Sequence, residues 1–195
     1  RLLTSFLRMR RIWPAPTPVC HFSHPKMWWQ KFAATSIGLA PSLEDLKAVS
    51  SKLEYLPLEL ASLDSVREAA KTFQDMQLPL HTLICNAAVM ALPERKVTQD
   101  GYEFQFEVNY LSHFLLVNLL LPQLAAAGTP EDPARIISVS SSAHFVRSPL
   151  AFGDTSGLNL EDSDGTYAYF PWTAYGQSKL AQVMFTYELA RRLER

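Results

Sequence analysis

The sequence predicts an α/β protein: a doubly wound parallel sheet, Rossmann-like, with helices on both faces, three layers in all and present in part. Three observations carry that expectation. Short apolar runs of strand length alternate with longer stretches of helical periodicity, the order that βαβ units with right-handed crossovers produce. The run "LHTLIC" (80–85) is continuously apolar, as a strand buried on both faces is. It stops at Asn86, and "ARIISVSSS" (134–142) likewise runs into hydroxyls; in such sheets ligands sit at the carboxyl ends of the strands.

Taken in order, residues 1–41 supply no assignable periodicity. They contain no Asp or Glu and several arginines, and they read as a disordered segment or one foreign to the domain, with few contacts to the sheet. A targeting segment is the weaker alternative. The domain proper is expected over 42–195. Ser42 with Asp45 resembles a capping box opening a helix, "SLEDLKAVSSKLE". "LEYLPLEL" (53–60) reads as a strand ending near Glu59. In "SLDSVREAAKTFQDM", Val66, Ala69, Ala70, Phe73 and Met76 fall at helical spacing with charges opposite. After the strand 80–85 comes a long helical stretch, 98–124. Its most apolar part, "FLLVNLLLPQL" (114–124), is broken by Asn118 and Pro122 and is far shorter than the ~20 residues of a membrane span, so it reads as a buried helix. Strand 134–140 and a helix from about residue 173 complete the order.

Composition excludes several roles. At 195 residues, 48% hydrophobic and 19% charged, the chain can fill one core. Its net charge of −1, with no basic stripe, gives a nucleic-acid backbone nothing to hold. Cys20 and Cys85 cannot build a disulfide framework and there is no Asn-x-Ser/Thr sequon; both point to an intracellular, cytoplasmic protein. Cys20, His21 and His24 lie close together, but no second cluster completes a metal site of the usual spacing, and none is expected.

The chemistry starts from "TAYGQSKLAQ" (173–182), which puts Tyr175 and Lys179 on one face of a helix. A phenol that works as an acid or base near neutral pH needs its phenolate favoured, and an ammonium beside it does that. A serine at the end of a neighbouring strand can hold a carbonyl oxygen and stabilise the alkoxide that forms. Ser140, Ser141 and Ser142 are all candidates. Asn109, inside a helix, reads equally well as a buried amide satisfied by backbone. His113 and His144 read as packed histidines outside the chemistry.

"YGQSK", the upstream "ISVSS", "CNAA" after an apolar strand and "FEVNYLSHFLL" together resemble the short-chain dehydrogenase/reductases. That family reads Y-x-x-x-K, a serine after the fifth strand, N-A-G and an Asn in the central helix. "LPLHTLICNAAVMALP", "DGYEFQFEVNYLSHF" and "SKLAQVMFTYELARRL" are most similar to its retinol dehydrogenase and WW-domain oxidoreductase branch. The resemblance covers about residues 53–195 and implies Tyr175 as acid/base, with Lys179 as the cation favouring its phenolate and as a ribose contact. It implies Ser141, the second serine of V-S-S, as holder of the substrate oxygen, and Asn109 as anchor of a water linking Lys179 to a proton relay. Asn86, Ala87 and Ala88 would line the cofactor beside the sheet, with Glu59 and Leu60 near the adenine. The implied cofactor is NADP or NAD, with NADP preferred. The implied partners are a small alcohol or carbonyl substrate and a second copy of the chain, paired through the helices 98–124 and 173–193.

Departures from the family pattern set a second reading beside the first. The family's glycine-rich turn, T-G-x-x-x-G-x-G, needs glycines early in the chain, and only Gly38 precedes residue 101. "GDTSGLN" (153–159) mimics half of it, but lies after the fifth strand. The strand and P-G turn that follow the catalytic helix in the family have no counterpart, so the domain reads as incomplete at both ends. Cys85, Ala88 and Glu59 replace commoner residues. Ser141 and Tyr175 stand 34 positions apart, and residues 148–172 between them are expected to form a loop over the substrate mouth. The sequence therefore predicts an oxidoreductase interconverting an alcohol and a ketone or aldehyde. The alternative is an inactive remnant, or a binding or regulatory protein that keeps the fold.

Overall fold

The computed structural model describes residues 19–22, 30–33, 54–145 and 169–194, with side chains from residue 54 onward. The helix expected over 42–54 and most of the loop over 148–172 lie outside the described residues.

Strands β1 (Val19–Phe22) and β2 (Gln30–Ala33) form an antiparallel hairpin in which Val19 faces Ala33 and Phe22 faces Gln30. Contrary to the expectation of few contacts with the sheet, the backbone of β1 lies beside strand β3 (Thr82–Cys85). Strands of four residues place only two side chains on each face, too few for an alternation to show in sequence.

Strand β3 pairs in parallel with β4 (Arg135–Ser138), Thr82 opposite Arg135 and Cys85 opposite Ser138. The ladder runs past both ends: the Arg135 N–H donates to the His81 carbonyl at 2.8 Å and the Val139 N–H to the Cys85 carbonyl at 3.0 Å. In-register parallel pairing delivers Asn86 and Ser141 to the same edge of the sheet, as expected.

The strand expected over 53–60 is corrected. Leu56, Leu58 and Leu60 are buried while Glu54, Pro57 and Glu59 are exposed, so the period-2 pattern is real, yet no strand pairs with this segment among the described residues. Alternating burial needs only a core on one side; a strand also needs a neighbour for its N–H and C=O groups.

Helix α1 (Leu63–Asp75) is capped by Ser62, whose hydroxyl accepts from the Ser65 N–H, and it buries Val66, Ala69, Ala70 and Phe73. Met76, expected in that stripe, is its C-cap and stands 39% exposed. Helix α2 (Phe104–Ala127) starts six residues later than expected. Gly101, at φ +86°, turns the chain, the Thr98 N–H donates to the Tyr102 carbonyl, and the Glu103 carboxylate accepts from the N–H groups of Gln105 and Phe106. Asp-Gly is a turn signal, and the turn interrupts the apolar periodicity that otherwise runs on. By length and composition alone α2 could cross a membrane. Here Val108, Leu116, Val117, Leu120 and Leu124 join the core while Phe114 and Asn118 are exposed, so the helix expected to be buried is buried along one face only.

Helix α3 (Pro171–Leu193) packs beside α2, and α1 packs on the other flank of α2, where Gln74 Nε2 donates to the Leu119 carbonyl at 2.9 Å. Among the described residues this is the one helical layer on the sheet. Ile136 of β4 packs into the core while Ile137 turns to the opposite face and is 40% exposed.

Candidate active site

The site is organised by a widened turn in α2. Residues Glu107–Leu111 form a π-helical segment, a feature that recurs at functional sites because it turns side chains out of the regular helical register. Asn109 sits inside it, fully buried. Its Oδ1 accepts from the Val89 N–H at 2.8 Å, and its Nδ2 donates to the Val89 carbonyl and to Ser178 Oγ, each at 2.9 Å. One amide thus fixes the loop that leaves β3 and clamps α3 to α2. Both amide protons are used. For the water anchoring implied by the resemblance, Asn109 can therefore act only as an acceptor, through its side-chain or main-chain carbonyl oxygen. The main-chain oxygen faces His113 Nδ1 at 3.0 Å.

In the loop held this way, Asn86 is half-buried, Ala87 is buried and Ala88 is exposed. Leu60 is tied to the same turn of α2, its carbonyl accepting from Ser112 Oγ at 2.6 Å. Glu59 lies next to it, but a carboxylate oxygen accepts from the Ala61 N–H at 2.9 Å and its own N–H donates to Ser65 Oγ at 2.9 Å, so part of its capacity holds its own turn. The residues expected to line a cofactor therefore gather around one end of α2.

The three residues after β4 divide their work. The Val139 carbonyl accepts from Lys179 Nζ at 2.9 Å, and Ser140 Oγ donates to the Lys179 carbonyl at 2.9 Å. Ser141 Oγ accepts from the Ala143 N–H at 3.2 Å, which leaves its hydroxyl proton to give. Ser142 opens a 3₁₀ turn, Ser142–Phe145, and is exposed. Among the three serines, Ser140 is committed to holding α3.

Helix α3 begins with Pro171 at its first position, where a missing N–H costs nothing. Tyr175 lies one turn in, 8% exposed, with Trp172 edge-on at 6.1 Å between ring centroids. Lys179 is buried, and its Nζ stands 5.6 Å from the centre of the Tyr175 ring. Burial lowers the Lys179 pKa from 10.5 to about 8, because an ammonium out of water loses its hydration. Its one hydrogen bond among the described residues is to Val139, so two N–H groups remain for a ligand.

Those two donors and the exposed Ala88 suit the ribose end of a nicotinamide dinucleotide. Among the described residues the pyrophosphate end finds no match: β1 and β2 form an antiparallel hairpin, and residues 23–29 that join them contain no glycine, whereas pyrophosphate binding takes close backbone approach and a helix N-terminus.

Sequence reasoning left out His113. It is 3% exposed, and its buried Nε2 has no hydrogen-bond partner among the described residues. The only signal was its place one turn after Asn109.

The class of protein is set by these features: a parallel α/β sheet whose strand ends meet a tyrosine–lysine helix at one edge. A family model described as short chain dehydrogenase matches residues 32–152, and the chain belongs to the short-chain dehydrogenase family. It is 45% identical to human polyprenol dehydrogenase over 147 residues, 75% of this chain and 42% of that protein. It is 42% identical to the zebrafish (Danio rerio) WW domain-containing oxidoreductase over 143 residues, 73% of this chain and 33% of that one. Among solved structures, a Mycobacterium paratuberculosis protein aligns with TM-score 0.62 and 35% identity, over 84% of this chain and 53% of that one. The Pseudomonas aeruginosa RhlG/NADP active-site complex aligns with TM-score 0.56 and 25% identity, over 83% of this chain and 56% of that one. The chain spans about two fifths of the curated polyprenol dehydrogenases it matches.

Proposed function

We propose that this chain is the catalytic middle of an NAD(P)-dependent oxidoreductase that interconverts an alcohol and its ketone or aldehyde, with Tyr175 as the acid/base. The observation that carries the reading is the Lys179 ammonium. It is 5.6 Å from the Tyr175 ring and is held by the carbonyl of Val139, two residues before Ser141, so that one cation joins the phenol to the strand end bearing the serine. Bound at Lys179, the nicotinamide cofactor would give or take the hydride. The chain's own part is to move a proton at Tyr175 Oη and to hold the substrate oxygen through the Ser141 hydroxyl. The buried ammonium stabilises the phenolate that forms when Tyr175 acts as acid.

The names of the human, mouse and zebrafish relatives support a polyprenol, a long apolar alcohol, as substrate. So do the exposed aromatics Phe145, Phe170 and Trp172, which flank Ser141 and Tyr175 in sequence and would rim an apolar mouth. The test is an assay of the full protein that carries this chain with NADP⁺ or NAD⁺ and a polyprenol beside a short alcohol. Reduced cofactor should appear with the polyprenol, at a kcat/KM at least tenfold above that for the short alcohol. No turnover of any alcohol or carbonyl, with the protein folded, would sink the reading and leave the non-catalytic alternative.

That alternative is favoured for the isolated 195 residues by the mismatch at the pyrophosphate end. Calorimetry on the chain alone is expected to show NADPH binding weaker than about 1 mM, a loss of several kcal/mol against micromolar binding. Micromolar affinity would show that residues 1–50 make a cradle without the family's glycine-rich turn.

A further inference from the structure

Gln105 stands on α2 four residues before Asn109 and is fully buried. Its Nε2 donates to Tyr169 Oη at 2.9 Å and to the Pro171 carbonyl at 3.1 Å. A carbonyl can only accept, so the nitrogen of the amide, and not its oxygen, faces Pro171. The Tyr169 hydroxyl, accepting from Gln105, gives its own proton to the Leu92 carbonyl at 2.8 Å. Burial, then the Glu103 charge, raises the Tyr169 pKa, so the phenol stays a donor. Gln105 Oε1 is buried with no hydrogen-bond partner among the described residues; the amide serves this place through its two N–H groups.

Asn109 joins the same two elements, through Val89 and Ser178. Two buried amides on α2 thus each bridge the loop leaving β3 and helix α3, first between Leu92 and Pro171 by way of Tyr169, then between Val89 and Ser178. Tyr175 lies on α3 between these two anchor points. The first anchor matters because the start of α3 is not secured from its own sequence: Phe170 at the N-cap makes no side-chain hydrogen bond, and helix ends without a cap fray. We propose that Gln105 and Tyr169 are positioning residues for Tyr175: their chain of hydrogen bonds is a second clamp that fixes the first turn of α3 against α2 and the loop after β3, and so sets where the phenol stands relative to Ser141. Placement is their whole role; no bond or proton changes hands at either. The proposal rests on the catalytic reading of Tyr175.

Two substitutions in the full protein test it. Tyr169→Phe keeps the ring and removes the hydroxyl; Gln105→Met keeps the length and removes the amide. In each, kcat per folded molecule should fall by about 10- to 100-fold, the scale of a small misplacement, with the alcohol KM and the cofactor Kd within about twofold of wild type. The double variant should be no more than about threefold slower than the slower single one, because both residues act through one chain of hydrogen bonds. A fall of less than about threefold per folded molecule, or effects that multiply in the double variant, would make the pair a packing feature and overturn the proposal. A second readout needs no turnover. The Ala174 N–H donates to the Phe170 carbonyl at 3.0 Å in the first turn of α3. Its hydrogen exchange should speed up at least about tenfold in either single variant, while the later turns of α3 exchange as in wild type. Unchanged exchange at Ala174 overturns the clamp even where kcat falls. If the protein catalyses nothing but the exchange responds as expected, the catalytic reading fails while the clamp on α3 stands.

Discussion

Tyr175→Phe is expected to cut the turnover of the full protein by about 10³-fold, within the range that a positioned acid/base contributes, while leaving the fold and cofactor affinity in place. The ring's neighbours survive the change: Trp172 remains edge-on at 6.1 Å and Lys179 Nζ remains over the ring. The hydroxyl makes no hydrogen bond among the described residues, so its removal orphans no buried group there, and stability should change by less than about 0.5 kcal/mol. The measurement is kcat by absorbance of the reduced cofactor, beside the melting temperature and the cofactor Kd. Retention of more than a tenth of wild-type kcat would show that another group moves the proton. A matching loss of cofactor affinity would show that the phenol serves binding.

How much of this was legible in the sequence depends on whether a feature is local. Tyr175 and Lys179 announce themselves because helical spacing fixes their neighbourhood, and the strand ends at Asn86 and Ser141 because apolar runs stop there. Pairing is not local. Residues 54–60 alternate as a strand does, yet they have no neighbour to bond with among the described residues, and nothing in their own sequence reports that. Apolar periodicity alone places the start of α2 too early, because it runs on through the Asp100–Gly101 turn, which the Glu103 cap completes. Ser140, Ser141 and Ser142 look alike on the page; only the geometry shows Ser140 donating to the Lys179 carbonyl. The unpaired nitrogen of His113 is hidden in the sequence for a related reason. A histidine satisfied at both nitrogens and one satisfied at a single nitrogen have the same sequence, and the difference lies in a partner that Nε2 lacks.

Lys179→Met is expected to separate stability from function in opposite directions. Activity should fall about as far as in Tyr175→Phe, because the substitution takes away the cation beside the phenol and two donors at the ribose end. Stability of the cofactor-free protein should rise near neutral pH. The Lys179 pKa is 10.5 as a free side chain and about 8 in the fold, a gap worth roughly 3 kcal/mol against folding wherever the amine is charged in both states. The sign follows from proton counts. Below about pH 8 both folded and unfolded chains hold the proton, and the cost of burying the ammonium is paid in full. Between about 8 and 10.5 the unfolded chain binds more protons than the folded one, so the wild-type protein gains stability as pH rises; above that window the cost is gone. Methionine carries no such charge and should lack this rise. It also leaves the Val139 carbonyl without its donor, which costs about 1–3 kcal/mol, so the net gain at pH 7 should be near 1 kcal/mol, or a few degrees in Tm. The difference in urea stability between wild type and variant, followed from pH 7 to pH 10.5, is the cleaner quantity, since other titrating groups cancel in it. It should shrink and then reverse as wild type gains. A difference that stays constant with pH would mean that Lys179 reaches water in solution and keeps an ordinary pKa, and a catalytic lysine so solvated would hold far less influence over the phenol beside it.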